Sequence, residues 1–305
     1  MAPTEARIEA QAKLNLFLRV LAREDSGYHQ IETLFCRIAL ADTVKVRIAA
    51  SGRSVDVVGA RVPPQGLGAP DQNLAWRAAA AYADATGFPG GFEISIEKRI
   101  PVGGGLGGGS ADAGAVLRAL NVLNPRPVSG AELLRMAISL GADVPFLTQD
   151  ESPLALGWGR GERLALLPAL PPSAVWLLVP DAAVSSADAY RWLDQSSRQA
   201  SPETIHIEQL RTWDGVAGLA SNDFEDPVGE RFPIIGRLLA NLRRGEVRSI
   251  LGPSGIVQMS GSGSCVAVIT GDRRPSHFSS LPSFGPVEVL ETETSDFVEP
   301  VVLTH

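Results

Sequence analysis

The alternation of apolar and polar residues predicts an α+β protein of two domains, a strand-rich half followed by a half in which strands and helices mix. Three observations carry this expectation. The first hundred residues hold long alternating runs and a single helical stretch. Three prolines fall within five residues from Pro168 to Pro172, as at a boundary, and 305 residues suit two domains of about 150 each. The expected domains are residues 1–167 and 168–305.

Taken in order, residues 8–20 place Ile8, Ala10, Ala12, Leu14, Leu16, Leu18 and Val20 at even positions, with Glu9, Gln11, Lys13, Asn15 and Arg19 between them. This reads as a strand with one wet face, from which Lys13 and Asn15 project together, about 6.6 Å apart. Residues 23–27 read as a turn, 31–48 and 54–58 as strands, and the proline-rich stretch 63–70 as a loop. An alanine-rich helix over 71–85 is ended by Gly87. Residues 92–98 alternate like a half-buried strand, and Val116, Leu117, Leu120 and Leu123 lie on one helical face that Asn124-Pro125 stops. Ser129 and Glu132 form a capping box for a further helix that Gly141 closes. Beyond the prolines, 175–179, 255–259 and 266–269 read as strands, a helix begins near Ala187, and the tail from 272 carries little signal.

Composition narrows the class of function. The chain is 45% hydrophobic and 20% charged, as a globular enzyme or binding protein is. A net charge of −7 argues against a nucleic-acid partner, because a phosphate backbone requires a basic face. There is no basic leader and no run of 18 apolar residues, so no membrane association and a cytoplasmic location are expected. Cys36 and Cys265 stand outside any metal-ligand spacing and read as packed, inert thiols.

The most informative segment is Pro101-Val102-Gly103-Gly104-Gly105-Leu106-Gly107-Gly108-Gly109-Ser110-Ala111, with six glycines between 103 and 109. Glycine costs about 0.5 to 1 kcal/mol relative to alanine in regular structure, so the run implies sharp turns or close approach of another group. Lying between a strand and a helix, it leaves bare N–H groups at the positive end of a helix dipole, a cradle for phosphate. A P-loop is excluded because no lysine follows the glycines. A dinucleotide fingerprint fits Gly103, Gly105 and Gly108, but residues 113–131 contain no acid to hold a ribose. The order Pro101-x-x-x-Gly105-Leu106-Gly107 matches instead the Pro-x-x-x-Gly-Leu-Gly loop of small-molecule kinases. A flexible linker does not fit between two periodic elements this close.

Further segments join the loop: Ala12-Lys13-Leu14-Asn15-Leu16, Gly27-Tyr28-His29, Asp71-Gln72-Asn73-Leu74, Gly141-Ala142-Asp143-Val144-Pro145-Phe146, residues 157–162 (Gly-x-Gly-Arg-Gly-Glu), 222–225 (Asn-Asp-Phe-Glu) and 259–265 (Met-Ser-Gly-Ser-Gly-Ser-Cys). With them the chain, from residue 8 to about 270, resembles the galactokinase, homoserine, mevalonate and phosphomevalonate kinase superfamily, and within it the branch acting on a cytidyl-linked substrate. The resemblance implies an ATP-binding first domain, a ferredoxin-like second domain and an active site in the cleft between them. It implies ATP and Mg²⁺, a cytidyl-diphospho-methylerythritol as the small-molecule substrate, and a monomer or homodimer. Asp143 would take the proton of the substrate hydroxyl, with Lys13 beside it keeping it ionised. The glycine segment through Ser110 and Ala111 would hold the phosphates, with Asn73 and Lys98 near the base and ribose. Tyr28 and Tyr190 would cover the two faces of the cytosine, His29 its edge, and Asn15 and Ser186 the rest of the substrate.

Taken singly, a lysine on a wet strand face is merely solvated and an aspartate before Val-Pro is a turn or cap residue. The sequence also departs from the family, which commonly reads Ser-Ser-Asn/Asp-Ala-Ala where this chain has Ser110-Ala111-Asp112-Ala113-Gly114. Ser110 is open to a phosphate or to Mg²⁺, and no metal ligand is assigned. Two other classes stay on the table. A dinucleotide-dependent oxidoreductase is disfavoured by the missing ribose acid, and a non-catalytic nucleotide sensor by the presence of both Lys13 and Asp143.

Overall fold

A computed structural model describes residues 4–196, 204–273 and 287–304. Two sheets organise it. The chain opens with two long strands, β1 (Glu5–Arg23) and β2 (His29–Ala49), followed by β3 (Arg53–Val58), helix α1 (Leu74–Thr86) and β4 (Gly91–Glu97). The glycine run leads into α2 (Gly108–Leu123), α3 (Gly130–Leu140), the short α4 (Val144–Thr148), β5 (Leu154–Gly159) and β6 (Arg163–Leu167). β1 pairs antiparallel with β2 along its length, while β2 divides its other edge between β5 at residues 31–36 and β4 at residues 43–49.

The second sheet comprises β7 (Ala174–Pro180), β8 (Ile256–Met259), β9 (Val266–Ile269) and β10 (Val287–Glu293). Between β7 and β8 run α5 (Ser186–Gln195), α6 (Trp213–Leu219), α7 (Glu225–Arg231), α8 (Pro233–Leu242) and α9 (Gly245–Leu251). The strands lie in the order β10-β7-β9-β8, all antiparallel. Counted within this half, that is fourth, first, third, second, the order of a ferredoxin-like sheet. A final strand, β11 (Val302–Thr304), returns to pair with the start of β1, so the chain's end belongs to the first sheet. The quiet tail thus contributes β10 and β11, whose short, mixed sequences leave no clear period.

Local signals explain most boundaries. Asn73 accepts from the backbone N–H groups of Ala75 and Trp76 to start α1, and Gly87 ends it in the left-handed region. Both capping-box bonds between Ser129 and Glu132 are present at α3. β1 departs from expectation. Its odd face is not wet: Gln11, Lys13, Asn15 and Arg19 are all at most 6% exposed. The glycine run and the second half roof that face, through bonds from Lys13 N to Leu106 O, Leu18 N to Ser221 O and Gln258 Nε2 to Asn15 O. Register shifts on either side of Lys13 and Asn15 break the simple alternation as well.

One apolar core runs through both halves, from Leu14, Phe35 and Leu117 to Leu177, Trp213 and Ile269. A second, smaller one lies between the ferredoxin-like sheet and α5, α7 and α8, around Leu178, Phe224 and Leu238. Cys36 and Cys265 are buried, and burial pushes both thiols up to about 12, which suppresses thiolate chemistry. Among the described residues no helix is long and apolar enough to cross a membrane.

Candidate active site

The glycine run is held from behind by the second half of the chain. Cys265 N donates to Gly104 O at 3.2 Å, and Ser260 Oγ to Gly105 O at 3.0 Å. Gly105 sits at φ +74°, and a Cβ there would lie 2.0 Å from Ser260 O, so no other residue fits. A Cβ at Gly109 would meet nothing within 4 Å. The run therefore turns its carbonyls toward the second half and opens toward a cavity of about 540 Å³, where α2 begins with roughly half a positive charge at its amino end.

Lys13 and Asp143, 130 residues apart in sequence, meet on the wall of this cavity, Nζ to Oδ2 at 3.5 Å. Asp143 is the residue that starts α4, its side chain a third exposed. Lys13 is 2% exposed and donates to Asn15 Oδ1 at 2.6 Å. Asn15 Nδ2 donates to Thr33 Oγ1 at 2.8 Å, and that hydroxyl donates to Phe17 O. The ammonium is thus aimed by a buried chain of bonds rather than left on a mobile stem. Ser110, Ser186 and Tyr190 line the same cavity, and Ser186 Oγ lies 2.8 Å from Ser262 Oγ.

Asn73 and Lys98, expected near a nucleotide, have a structural task that spacing did not reveal. The amide oxygen of Asn73 caps α1, although the residue still lines the cavity. Lys98, 3% exposed, donates to Asp42 and, at 2.8 Å, to Asp112 Oδ2. Asp42 Oδ1 also accepts from Ile100 N at 2.9 Å, which fixes the turn out of β4. Burial pushes the Asp112 carboxyl up to about 7, Lys98 opposing and Asp42 adding. Burial alone would lower the Lys98 ammonium, but the two carboxylates outweigh it and raise its pKa. The two carboxylates together hold the lysine in its charged form. Asp42 and Asp112 escaped the sequence reading because isolated acids in a strand and a helix carry no periodic signal.

The aromatic residues surround a second, larger cavity of about 1050 Å³. The His29 ring stacks on Tyr190 with centroids 4.5 Å apart, and its Nε2 lies 2.7 Å from Asp194 Oδ1. Tyr28 is 58% exposed, and the Arg160 guanidinium lies 3.8 Å over its ring. The expected arrangement had Tyr28 facing Tyr190 with His29 at the edge. Here the pull of Asp194 lays His29 itself on Tyr190, while Tyr28 stacks on Arg160. Burial, with Asp143 adding to it, pushes the Tyr190 hydroxyl up to about 12, so it stays a neutral donor. The Asn-Asp-Phe-Glu segment is a clamp: Asn222 Nδ2 donates to Met259 O and Gly261 O, and Glu225 accepts from Met259 N and Arg243. Among the described residues no three acidic, histidine or cysteine side chains gather as a metal site.

Residues 73–150 match the family model described as GHMP kinases N terminal domain. A 4-diphosphocytidyl-2-C-methyl-D-erythritol kinase of Halorhodospira halophila is 39% identical over 261 residues, which cover 85% of this chain and 82% of that protein. One of Deinococcus radiodurans is 37% identical, covering 84% and 81%. A crystal structure of 4-(cytidine 5'-diphospho)-2C-methyl-D-erythritol kinase superposes with a TM-score of 0.73 at 34% identity, covering 95% of this chain and 99% of that one. Homoserine kinase from Cytophaga hutchinsonii, at 16% identity and a TM-score of 0.66, shares the fold.

Proposed function

The chain belongs to the 4-diphosphocytidyl-2-C-methyl-D-erythritol kinases, and from that premise we propose that it moves the γ-phosphoryl group of ATP to the C2 hydroxyl of the cytidyl substrate, at the cavity wall shared by Lys13 and Asp143. The convergence of these two residues beside an open glycine run is the observation that carries the assignment. Phosphoryl transfer asks for a held triphosphate, a positioned hydroxyl and compensation of charge on the moving group. The N–H groups at the start of α2 serve the first need. Asp143 accepts the hydroxyl proton, and Lys13, aimed by Asn15 and Thr33, steadies both the carboxylate and the transferring oxygens.

ATP brings Mg²⁺ with it. The cavity wall fits an ion that takes hard oxygen ligands and keeps several waters: Ser110 offers a hydroxyl, and the buried Asp112 Oδ1 has no hydrogen-bond partner. Ser110 and Asp112 would help to hold such an ion, which would supply compensation of the phosphate charge. The larger cavity, lined by Tyr28, His29 and Tyr190, would take the cytosine, and the smaller one, at Asn15 and Ser186, the methylerythritol end. The reaction takes place in the cytoplasm, where ATP is supplied.

A substrate panel tests the assignment. The protein should convert ATP to ADP with the cytidyl-diphospho-methylerythritol and not with homoserine or mevalonate; the reverse preference would overturn it. Asp143→Ala should lower kcat by orders of magnitude with ATP still bound in a fluorescence titration. Near-normal turnover would remove Asp143 from the chemistry.

A further inference from the structure

The two cavities are neighbours, and among the described residues three line both: Ala142, Arg160 and Tyr190. This inference rests on the kinase assignment above. If the cytosine lies in the larger cavity and the reacting hydroxyl beside Asp143, the diphosphate that joins them must cross the shared wall. A diphosphate carries about two negative charges and calls for a cation there. Of the three shared residues, Arg160 alone is charged. Lys13 and Lys98, the other cations on the smaller cavity, are buried against Asp143 and the Asp42–Asp112 pair, whereas Arg160, though paired with Glu24, has a side chain 43% exposed and donors left over.

Arg160 is also built for the task. It sits between Gly159 and Gly161 in the turn joining β5 to β6, and its backbone N–H is fixed by Glu162 Oε2 at 2.7 Å. Its bonds to Glu24 Oε2, at 2.7 Å, and Ser26 Oγ, at 3.3 Å, both run from Nη2. Nε and Nη1, one on each side of the occupied Nη2, keep donors for phosphate oxygens. The same side chain lies on Tyr28 and ties down the turn that carries it. We propose that Arg160 binds the diphosphate of the substrate and links its recognition to the placing of Tyr28, making it a specificity determinant for cytidine diphosphates over cytidine.

Arg160→Gln and Arg160→Lys test this. In Arg160→Gln the KM for the cytidyl substrate should rise roughly ten- to hundredfold, kcat should fall less, and the KM for ATP should hold, as for loss of a charged hydrogen bond. Arg160→Lys should recover part of the loss. Calorimetric titration with CDP and with cytidine separates this role from a structural one. The wild type should prefer CDP, and Arg160→Gln should lose that preference. An equal weakening of both ligands means Arg160 only props Tyr28, and that outcome, like an unchanged KM, overturns the proposal. The titrations need no turnover, so they test Arg160 even if the wild type fails to phosphorylate the cytidyl compound, a failure that would count against the kinase assignment alone.

Discussion

At the scale of single residues, the chemistry depends on charges held out of water. Lys13 looks solvated in the sequence, since it falls on the polar side of an alternation, yet it is 2% exposed, and Lys98 is 3% exposed. Alternation reports which side of a strand points away from its own sheet, not whether another part of the chain roofs that side. Lys13 and Asp143 were legible as a pair only through the resemblance, because a separation of 130 positions erases any spacing rule. Lys98 shows what spacing could not give: its partners Asp42 and Asp112 come from β2 and α2. Replacing it leaves two buried carboxylates facing each other, so Lys98→Met should cost about 3–5 kcal/mol. Urea unfolding followed by circular dichroism measures this, and an unchanged midpoint would show that the cluster contributes nothing to stability.

At the scale of elements, the best-read pieces were those with a chemical start or stop. Asn73 and Gly87 for α1, and Ser129 with Glu132 for α3, satisfy terminal backbone groups locally and so are visible locally. β5 and β6 were not read, because both are short and β5 is broken by Gly157, whose reason is tertiary: a Cβ there would meet the Phe35 ring. The approach of α2 to α4 is a further tertiary requirement. A Cβ on Gly114 would lie 2.5 Å from Leu147 O, and α4 is the helix that Asp143 starts. Gly114→Ala should therefore push α4 away and reduce kcat, with a loss of about 1–3 kcal/mol in stability. Gly130→Ala, where a Cβ meets nothing within 4 Å, is the matched control and should leave both within error. Steady-state kinetics and thermal melts on the two variants decide it.

At the scale of the whole molecule, the sharing of one core by both halves was not legible, because apolar residues do not announce their partners. That core, and the return of β11 to β1, tie the halves together. Unfolding should accordingly be a single transition: far-ultraviolet circular dichroism and tryptophan fluorescence should give one urea midpoint, and two separated midpoints would show that the halves melt independently. The bonds from Cys265 and Ser260 to the glycine run give that coupling a further meaning. The glycine run is written wholly in the first half, yet bonds from the far half hold its shape. A fragment ending before β7 would carry every glycine and still grip ATP poorly, and changes near 260–265 would alter nucleotide affinity without touching the nucleotide. A change in the second half is thereby never free of consequence for the glycine run.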